Sequence, residues 1–476
     1  MTKCALRQLS LALLAAGVLS GCSLAPKYER PDAPVAGNYP SEAIPTTGRL
    51  AHVTADSGWR EFFPDRRLQA LIETALANNR DLRLAALRIE EARAQYNIQS
   101  ADRLPNLSGT ASGSRARTPG SLTSDGTSVV SSSYQVGLNL AAFELDFFGR
   151  VRSLNDAALS LYLATEEARR AAHITLVAEV ARAYLAERAF AEQQALAQRT
   201  LEARQSAYKL AKQRFEVGAS SALDLRENET LLHSARVSLA TLARQRAQAL
   251  NGLTLLVGKP LADLPEPQPL SAQNIVADIP AGLPSDLLTR RPDIRAAEQR
   301  LIAANANIGA ARAAFFPRIS LTAGIGTASS DLSGLFETGS RSWSFAPQLV
   351  LPIFDAGRNR ANLNLAQVRN NVAVVDYEKA IQVAFREVSD ALVARGTLDE
   401  QIDAQGAVLA AQTERLKLAE LRYQNGVASS LDVLDAQREQ FSAEQSLVQT
   451  RLLRLTNAID LYRSLGGGLQ AQTSVP

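Results

Sequence analysis

The chain has 476 residues, enough for roughly two to four ordinary domains. Its 51 Lys and Arg are nearly balanced by 48 Asp and Glu, so the composition gives no electrostatic footprint for nucleic acid. Only two Cys and three His occur, which argues against a metal site built on these residues, a disulfide framework or a Cys–His dyad.

The N-terminus is predicted to be a lipoprotein signal peptide that covers residues 1–21. A short basic region precedes an apolar stretch at 9–19, which is too short to span a membrane. The Leu-Ser-Gly-Cys ending resembles a bacterial lipobox, which implies that Cys22 is lipidated and becomes the first mature residue; the alternative is an ordinary signal with a chance Cys. Ser23, in place of Asp, favours the outer membrane. Residues 22–66 are expected to form an N-terminal lipid-anchored extended segment.

Residues 67–258 form the first of two predicted tandem repeats. No Gly or Pro occurs between Gly149 and Gly218, which predicts a helix of about 100 Å at 1.5 Å per residue. Before this helix the period of the apolar residues changes from 3.6 to 2, which predicts strands. The expected order is a helix, strands at about 104–116 and 131–148, a long helix at 150–217 and a return helix at 221–257.

A Pro-rich equatorial linker at 259–284 leads to the second repeat at 285–466, and residues 467–476 form a C-terminal tail. The repeats share several segments, among them FEVGASSALDL at 215–225 and YQNGVASSLDVLD at 423–435. The second repeat is therefore predicted to contain a helix, strands at about 316–330 and 340–354, a long helix at 357–425 and a return helix at 429–465.

The repeated turn predicts how each long helix ends. Gly218 and Gly426 are placed to adopt the left-handed conformation that closes a helix. Each glycine is followed by residues with the spacing of a capping box, Ser221-x-x-Asp224 and Ser429-x-x-Asp432, which predicts the start of a return helix. Two helical hairpins with tight tips are the expected result.

The predicted strands alternate between a polar face of Ser, Thr and Gly and an apolar face. Aromatic residues gather near the strand ends, namely Phe147, Phe148, Phe315, Phe316 and Trp343. This pattern is typical of a lipid-facing barrel with a wet lumen, although a soluble hairpin shows a similar alternation. A membrane barrel must close and needs at least about eight strands, so copies of the chain must share one barrel.

Six segments carry a resemblance to a known family: GCSLAPKYERP (21–31), FELDFFGR (143–150), RRPDIRAAEQRL (290–301), FFPRISL (315–321), LPIFDAGR (351–358) and YQNGVASSLDVLDAQR (423–438). They resemble the TolC/OprM-type outer-membrane factors, in the NodT-like lipoprotein branch that serves resistance-nodulation-division (RND) efflux systems. The resemblance implies a mainly α fold with transmembrane β-strands. It further implies a homotrimer with a 12-stranded barrel, four strands per chain, that continues into a long α-helical barrel.

The resemblance also implies a passive channel that lies in the outer membrane, contacts its lipid and extends into the periplasm. Such a channel conducts drugs or other small toxic compounds outwards from an inner-membrane RND transporter and a periplasmic adaptor. No catalysis is expected, and no cofactor apart from the covalent lipid on Cys22. Two alternatives remain open, a TolC-like duct for type I protein secretion and a periplasmic coiled-coil scaffold lipoprotein.

An enzyme is the weakest interpretation of the sequence. No phosphate loop, G-x-S-x-G, H-E-x-x-H or Cys cluster occurs. Pairs of carboxylates on the predicted helices are interpreted as solvated faces, namely Glu90, Glu91, Glu166 and Glu167. The sequence does not indicate which compounds are exported.

The tip of the second hairpin matches the family positions that close the periplasmic end. Asp432 and Asp435 match its two acidic positions, and three-fold symmetry would turn each into a ring of carboxylates that attracts cations. Asp432 also has a capping role, whereas capping does not explain Asp435. Leu431 is a candidate apolar constriction beside them, or alternatively a packing residue.

Two further sets of tip residues match the family. Asp224 and Tyr423 match positions that hydrogen-bond between neighbouring hairpins and lock the tip, although a hydrophobic contact is the alternative for Tyr423. Some members place an Arg where this chain has Ala428, so the full lock does not carry over. The adaptor-docking surface is matched by Gly218, Ala219, Gly426 and Val427.

Overall fold

The computed structural model describes residues 23–39, 57–275 and 284–473. The predicted signal peptide and the predicted lipidation site Cys22 lie outside these residues. In chain order the elements are α1 (Trp59–Phe62), α2 (Arg66–Asn78), α3 (Arg80–Ala101), β1 (Leu107–Thr118), β2 (Val129–Leu145), α4 (Arg150–Glu216), α5 (Ala222–Val257), α6 (Leu287–Arg290), α7 (Pro292–Ala313), β3 (Arg318–Ser329), β4 (Arg341–Val350), α8 (Arg358–Gln424) and α9 (Ser430–Ser464). None of the helices in these ranges is long and apolar enough to cross a membrane.

The two long helices reflect the duplicated sequence. Helices α4 and α8 have 67 residues each, and their ends lie within one residue of the predicted bounds. Both begin a few residues after an aspartate that follows the preceding strand, Asp146 after β2 and Asp355 after β4. The Asp146 carboxylate accepts a hydrogen bond from the Arg152 amide at 2.7 Å, and the Asp355 carboxylate accepts one from the Asn359 amide at 2.9 Å. These contacts satisfy amide groups that the first helical turn leaves unpaired.

The observed strands differ from the predicted ones at their ends. The first strand begins at Leu107 rather than 104, because α3 runs to Ala101 and Pro105 has no amide to donate. The second strand ends at Leu145 rather than 148, since the Asp146 carboxylate accepts a hydrogen bond from an amide in the first turn of α4. The fourth strand ends at Val350, before Pro352, rather than at 354.

Contacts divide the chain into two compact units, and these units do not coincide with the two repeats. The first unit contains Arg88–Thr165, Ala296–Tyr377 and the described residues up to Asp32. The second contains Ala33–Leu87, Glu166–Arg295 and the described residues from Glu378 onwards. Each unit therefore takes segments from both repeats, because the long helices run through the unit boundaries.

The first unit contains one antiparallel sheet with the strand order β1-β2-β3-β4. Residues opposite one another in the register share a face, and Leu138, Ile325 and Trp343 form one such row. All three side chains are exposed, at 57%, 68% and 80%. The row confirms the predicted alternation, because one face of the sheet presents apolar side chains outward.

A β-bulge in β2 keeps this apolar face continuous. Leu140 lies opposite Ala323, but the next pair is Phe143 with Leu321, so one extra residue is accommodated between them. Without the bulge the extra residue would move Phe143 to the polar face and Glu144 to the apolar face. The bulge residue Ala142 has a φ of 46°, which a side chain adopts only with strain.

On the other face Glu144 forms an ion-pair cluster that the sequence does not reveal. Its Oε2 lies 2.7 Å from Arg150 Nη2 and 2.8 Å from Arg318 Nε. The Glu144 side chain is 11% exposed, so two guanidinium groups compensate a carboxylate that is largely removed from water. Phe148 and Phe316 stack beside this cluster with ring centroids 4.8 Å apart.

In the second unit Asp65 links three parts of the chain. Its carboxylate caps α2 by accepting from the Arg67 and Leu68 amides. The same carboxylate accepts from the Tyr184 hydroxyl and from Gln273 Nε2, both at 2.7 Å. Asp65 is 3% exposed, and its contacts satisfy the buried charge.

The interpretation of Glu167 as part of a solvated face is wrong. Glu167 is 6% exposed, and its Oε1 lies 2.8 Å from both Arg170 Nη1 and Arg295 Nη2. Arg170 is one helical turn away, but Arg295 comes from a distant part of the chain. Long-range packing therefore buries this carboxylate between two cations.

The bulge predicts a difference between two single-residue deletions, one in β2 and one in β3. Deletion of Ala142 removes the extra residue and preserves the register on both sides, so we expect the trimer implied by the resemblance to survive. Deletion of Gly324, in β3, has no spare residue to absorb it, because β3 pairs with β4 without a register shift; it moves the side chains beyond it to the opposite face and should lower the trimer by at least about tenfold. Semi-native electrophoresis of outer-membrane fractions measures both, and equal losses would contradict this account of the bulge.

Candidate functional site at the hairpin tips

Both hairpin tips in the second unit close with the same hydrogen-bonded turn. In the first tip the Ala219 amide donates to the Arg214 carbonyl at 2.7 Å, and Gly218 has a φ of 73°. In the second the Val427 amide donates to the Arg422 carbonyl at 2.9 Å, and Gly426 has a φ of 74°. These are Schellman turns, and the predicted left-handed conformation of both glycines is confirmed.

The two predicted capping boxes are also confirmed. In the first, the Asp224 amide donates to Ser221 Oγ and the Ser221 amide donates back to the Asp224 carboxylate. In the second, Ser429 and Asp432 make the same reciprocal pair. Each return helix therefore begins with two of its free amides satisfied.

Two side-chain ties connect the first tip to the second. The Ser430 hydroxyl donates to Asp224 Oδ1 at 3.0 Å. Arg214 Nη1 donates to the Tyr423 hydroxyl oxygen at 2.6 Å, and the guanidinium carbon lies 5.7 Å from the centroid of the Tyr423 ring. Asp224 and Tyr423, the two predicted lock residues, thus contact the opposite hairpin, each through a partner that the sequence did not indicate.

The ties border a small pocket between the hairpins. Its volume is about 110 Å³, and its lining includes Arg214, Asp224, Asn228, Tyr423 and Ser430. Asn228 is 7% exposed and donates from Nδ2 to the Asp224 carbonyl at 2.8 Å. The pocket is thus lined by the same side chains that join the tips.

The tie through Asp224 depends on the charge of its carboxylate. The Ser221 hydroxyl, and then the Ser430 hydroxyl, donate hydrogen bonds to the ionised form and lower the pKa of Asp224. A lowered pKa stabilises the folded tip above the ordinary carboxyl pKa of about 3.9. This contribution is lost as the pH falls through the lower pKa of the folded state, so the tie weakens only in strong acid.

Asp435, a predicted gate residue, lies between two arginines of its own chain. Its Oδ2 is 2.7 Å from Arg415 Nη2, and its Oδ1 is 2.5 Å from Arg438 Nη2. Arg438 lies one turn further along α9, whereas Arg415 lies on α8. These ion pairs give Asp435 a structural role that helix capping does not.

The other predicted tip residues are exposed. Leu431 is 57% exposed and Val427 is 68% exposed. Asp432 uses its carboxylate in the capping box. A Cβ atom added to Gly218 or Gly426 would meet no described atom within 4 Å, so both turns face open space. The roles of these residues in gating and docking stay predictions.

Sequence reasoning missed Arg214, Ser430, Arg415 and Arg438 as tip residues. The spacing of Asp435 and Arg438 was the clearest available signal, because residues three apart face one another on a helix. Arg415 lies slightly farther before Gly426 than Asp435 lies after it, so the predicted hairpin would have placed the two residues near one another. Position 428 is Ala, and the cation that contacts Tyr423 is Arg214 of the other hairpin.

Comparison with known proteins identifies the family. The family model described as outer membrane efflux protein matches residues 71–259 and 283–467. The chain is 51% identical to outer membrane protein OprJ of Pseudomonas aeruginosa over 458 residues, 96% of this chain and 95% of OprJ. It is 49% identical to the toluene efflux pump outer membrane protein TtgC of Pseudomonas putida over 467 residues, 98% of this chain and 96% of TtgC.

Solved structures give the same result. The crystal structure of the open state of the Neisseria gonorrhoeae MtrE outer membrane channel has a TM-score of 0.86 and 44% identity, covering 95% of this chain and 100% of that chain. These similarities confirm the predicted fold class, that of trimeric channels of the TolC type, and the location in the outer membrane. The chain belongs to the outer membrane efflux protein family and is the outer-membrane channel of an efflux pump, not an enzyme.

Proposed function

We propose that the chain is a passive exit duct for small, largely apolar toxic compounds such as organic solvents and drugs. The name of TtgC, a relative of 49% identity that is described as a toluene efflux pump protein, supports this substrate class. An inner-membrane RND transporter supplies the energy, and a periplasmic adaptor connects it to the duct. The relatives are efflux components, which favours this function over type I secretion and over a scaffold lipoprotein.

The pair of tied tips is the observation that carries the proposal. Arg214 with Tyr423 and Ser430 with Asp224 join the two hairpins of one chain at their free ends. Both contacts involve a charged partner, lie near the surface and are few in number. Such contacts are strong enough to hold one arrangement and weak enough to be exchanged when a partner docks. The tips thus form the closing end of the duct.

Asp435 and its arginines set the charge of the closed end. A bare ring of three carboxylates would bind cations strongly. Here Arg415 and Arg438 contact each Asp435, so the local charge around this carboxylate is no longer negative. Asp432 lacks such ion pairs among the described residues and remains the more exposed acidic position.

A covalent lipid on Cys22 is part of the proposal. The lipobox-like ending supports it, and acyl chains contribute roughly 0.8 kcal/mol per buried methylene, so several of them hold the N-terminus durably in the outer membrane. The mass of the N-terminal peptide of the purified protein tests this assignment directly. An unmodified Cys22, or cleavage elsewhere, would contradict it.

The ties can be tested by removing their hydrogen bonds with minimal change of shape. Tyr423→Phe removes the acceptor for Arg214 and keeps the ring, and Ser430→Ala removes the donor to Asp224. Each net hydrogen bond corresponds to roughly a fivefold change in an equilibrium, so the double variant should spend a larger fraction of time open in planar bilayers. Lys209→Ala, an exposed position on α4, is the control, and a double variant that behaves like it would contradict the lock.

The charge of the closed end can be tested with substitutions of opposite expected sign. Asp432→Ala with Asp435→Ala should raise single-channel conductance and weaken block by divalent cations by about twofold or more. Arg415→Ala with Arg438→Ala removes both ion-pair partners of Asp435, and should strengthen the same block. Asp390→Ala with Asp403→Ala is the control, because both residues lie on α8 farther from the tip. Block that is unchanged in the first two variants would remove these residues from the gate.

The docking role of the tips can be separated from the integrity of their turns. Asn tolerates a positive φ, so Gly218→Asn with Gly426→Asn keeps both turns and adds side chains that point away from the chain. We expect drug export to fall several-fold at normal protein level, because an adaptor can no longer approach the backbone. Cell-surface abundance and heat-modifiable trimer should be unchanged. Undiminished resistance in a susceptibility assay would show that adaptors dock elsewhere.

A further inference from the structure

The first unit holds an N-terminal strap, residues 23–32, against helix α7. The Leu24 carbonyl accepts a hydrogen bond from Arg312 Nη1 at 3.2 Å. The Pro26 carbonyl accepts one from Asn305 Nδ2 at 2.8 Å. Side chains of α7 thus replace the regular backbone partners that an extended segment lacks.

Glu298 makes the strongest contacts to the strap. Its two carboxylate oxygens accept from Arg30 Nε at 2.7 Å and from Arg30 Nη2 at 3.0 Å, and Oε1 also accepts from the Tyr28 hydroxyl at 3.1 Å. Glu298 is 8% exposed. A bidentate guanidinium pair at a largely buried carboxylate fixes direction as well as distance.

Gly309 provides a notch for the strap. A Cβ atom at this position would lie 2.7 Å from the Ala25 amide nitrogen and 2.7 Å from Ser153 Oγ. Contacts this short do not occur, so any other residue would force the strap or α4 to move. Gly309 lies inside a helix, where glycine is otherwise unfavourable by roughly 1 kcal/mol relative to Ala.

The contact positions on α7 form one stripe. Glu298, Asn305, Gly309 and Arg312 recur at spacings of three, four and seven residues, which places them on the same side of a helix. The strap runs antiparallel to α7, so that Leu24 contacts Arg312 and Arg30 contacts Glu298. A shift by one residue would break the ion pair and push a side chain into the notch, so the register is unique.

We propose that this stripe is a docking surface for the chain's own anchored N-terminus, and that Glu298 is its positioning residue. Cys22 directly precedes Ser23, the first residue of the strap, and Arg312 lies in the last turn of α7, shortly before β3. The strap therefore delivers the lipidated end to the border of the sheet, where the chain enters the membrane. The placement of a lipidated end rests on the proposed lipidation of Cys22, whereas the docking of the strap on α7 does not.

Cleavage of the strap by endoproteinase Lys-C tests the proposal on the full-length protein in detergent. Lys27 is the strap's only lysine, so cleavage there releases a short N-terminal peptide. A docked strap protects this bond, and Glu298→Ala should speed cleavage about tenfold or more, since cleavage follows local opening. Gly309→Ala should do the same. Gly252→Ala, at a helical glycine with open space around it, should not.

Exchange of the two charges between Arg30 and Glu298 distinguishes loss of this ion pair from a general loss of folding. Arg30→Glu and Glu298→Arg should each accelerate cleavage at Lys27, and the double variant should restore at least part of the protection. Unchanged cleavage in Glu298→Ala and Gly309→Ala would overturn the strap, and so would a double variant that is cleaved faster than either single one. The mass of the released peptide reports the lipid separately: an unlipidated but protected strap contradicts only the anchor.

Discussion

The unpaired edges of the four-stranded sheet constrain everything else in this protein. Strands β1 and β4 occupy the two ends of the sheet, and among the described residues neither has a second partner. An unpaired backbone group inside a membrane costs several kcal/mol, so a chain alone cannot place this sheet in lipid. Because all neighbours are antiparallel, β1 and β4 run in opposite directions, and β4 of one copy can pair with β1 of the next. Repetition of this contact closes a ring with four strands from each copy, in agreement with the trimeric fold class.

Duplication explains the architecture, and divergence of the two copies explains the tips. Both tips keep the glycine turn and the capping box, so both hairpins fold by the same local rules. Each tie, in contrast, uses one position where the repeats differ. Tyr423 corresponds to Phe215, which has no hydroxyl, and Ser430 corresponds to Ala222, which has no donor. Two copies of the first tip could not make these contacts, because neither would carry these hydroxyl groups. The two hydroxyl groups of the second tip are therefore what allows one chain to connect its own two hairpins in this way.

Local patterns in the sequence predicted those features that depend on neighbouring residues. The absence of Gly and Pro defines α4, and the turn glycines with their Ser and Asp partners define the tips, because each feature is satisfied within one or two turns of chain. Features that depend on tertiary packing were not predictable in this way. Glu167 is buried because Arg295 reaches it, and Asp435 is compensated because Arg415 faces it across a hairpin. The bulge at Ala142 was equally hidden, since only pairing with β3 reveals the extra residue.

The most direct test of the central claim is disulfide cross-linking between the two sheet edges. One cysteine on the polar face of β1, at Ser108, Thr110 or Ser112, is combined with one cysteine on β4, at Ser342 or Ser344. Cys22 is retained for lipidation, and Cys4 is removed with the signal peptide. Membranes are oxidised, and denaturing electrophoresis resolves the products. The account predicts that a matched pair of positions yields covalent species that extend to three chains and no further. Cross-links confined to single chains, or none at any combination, would show that the edges do not pair between copies.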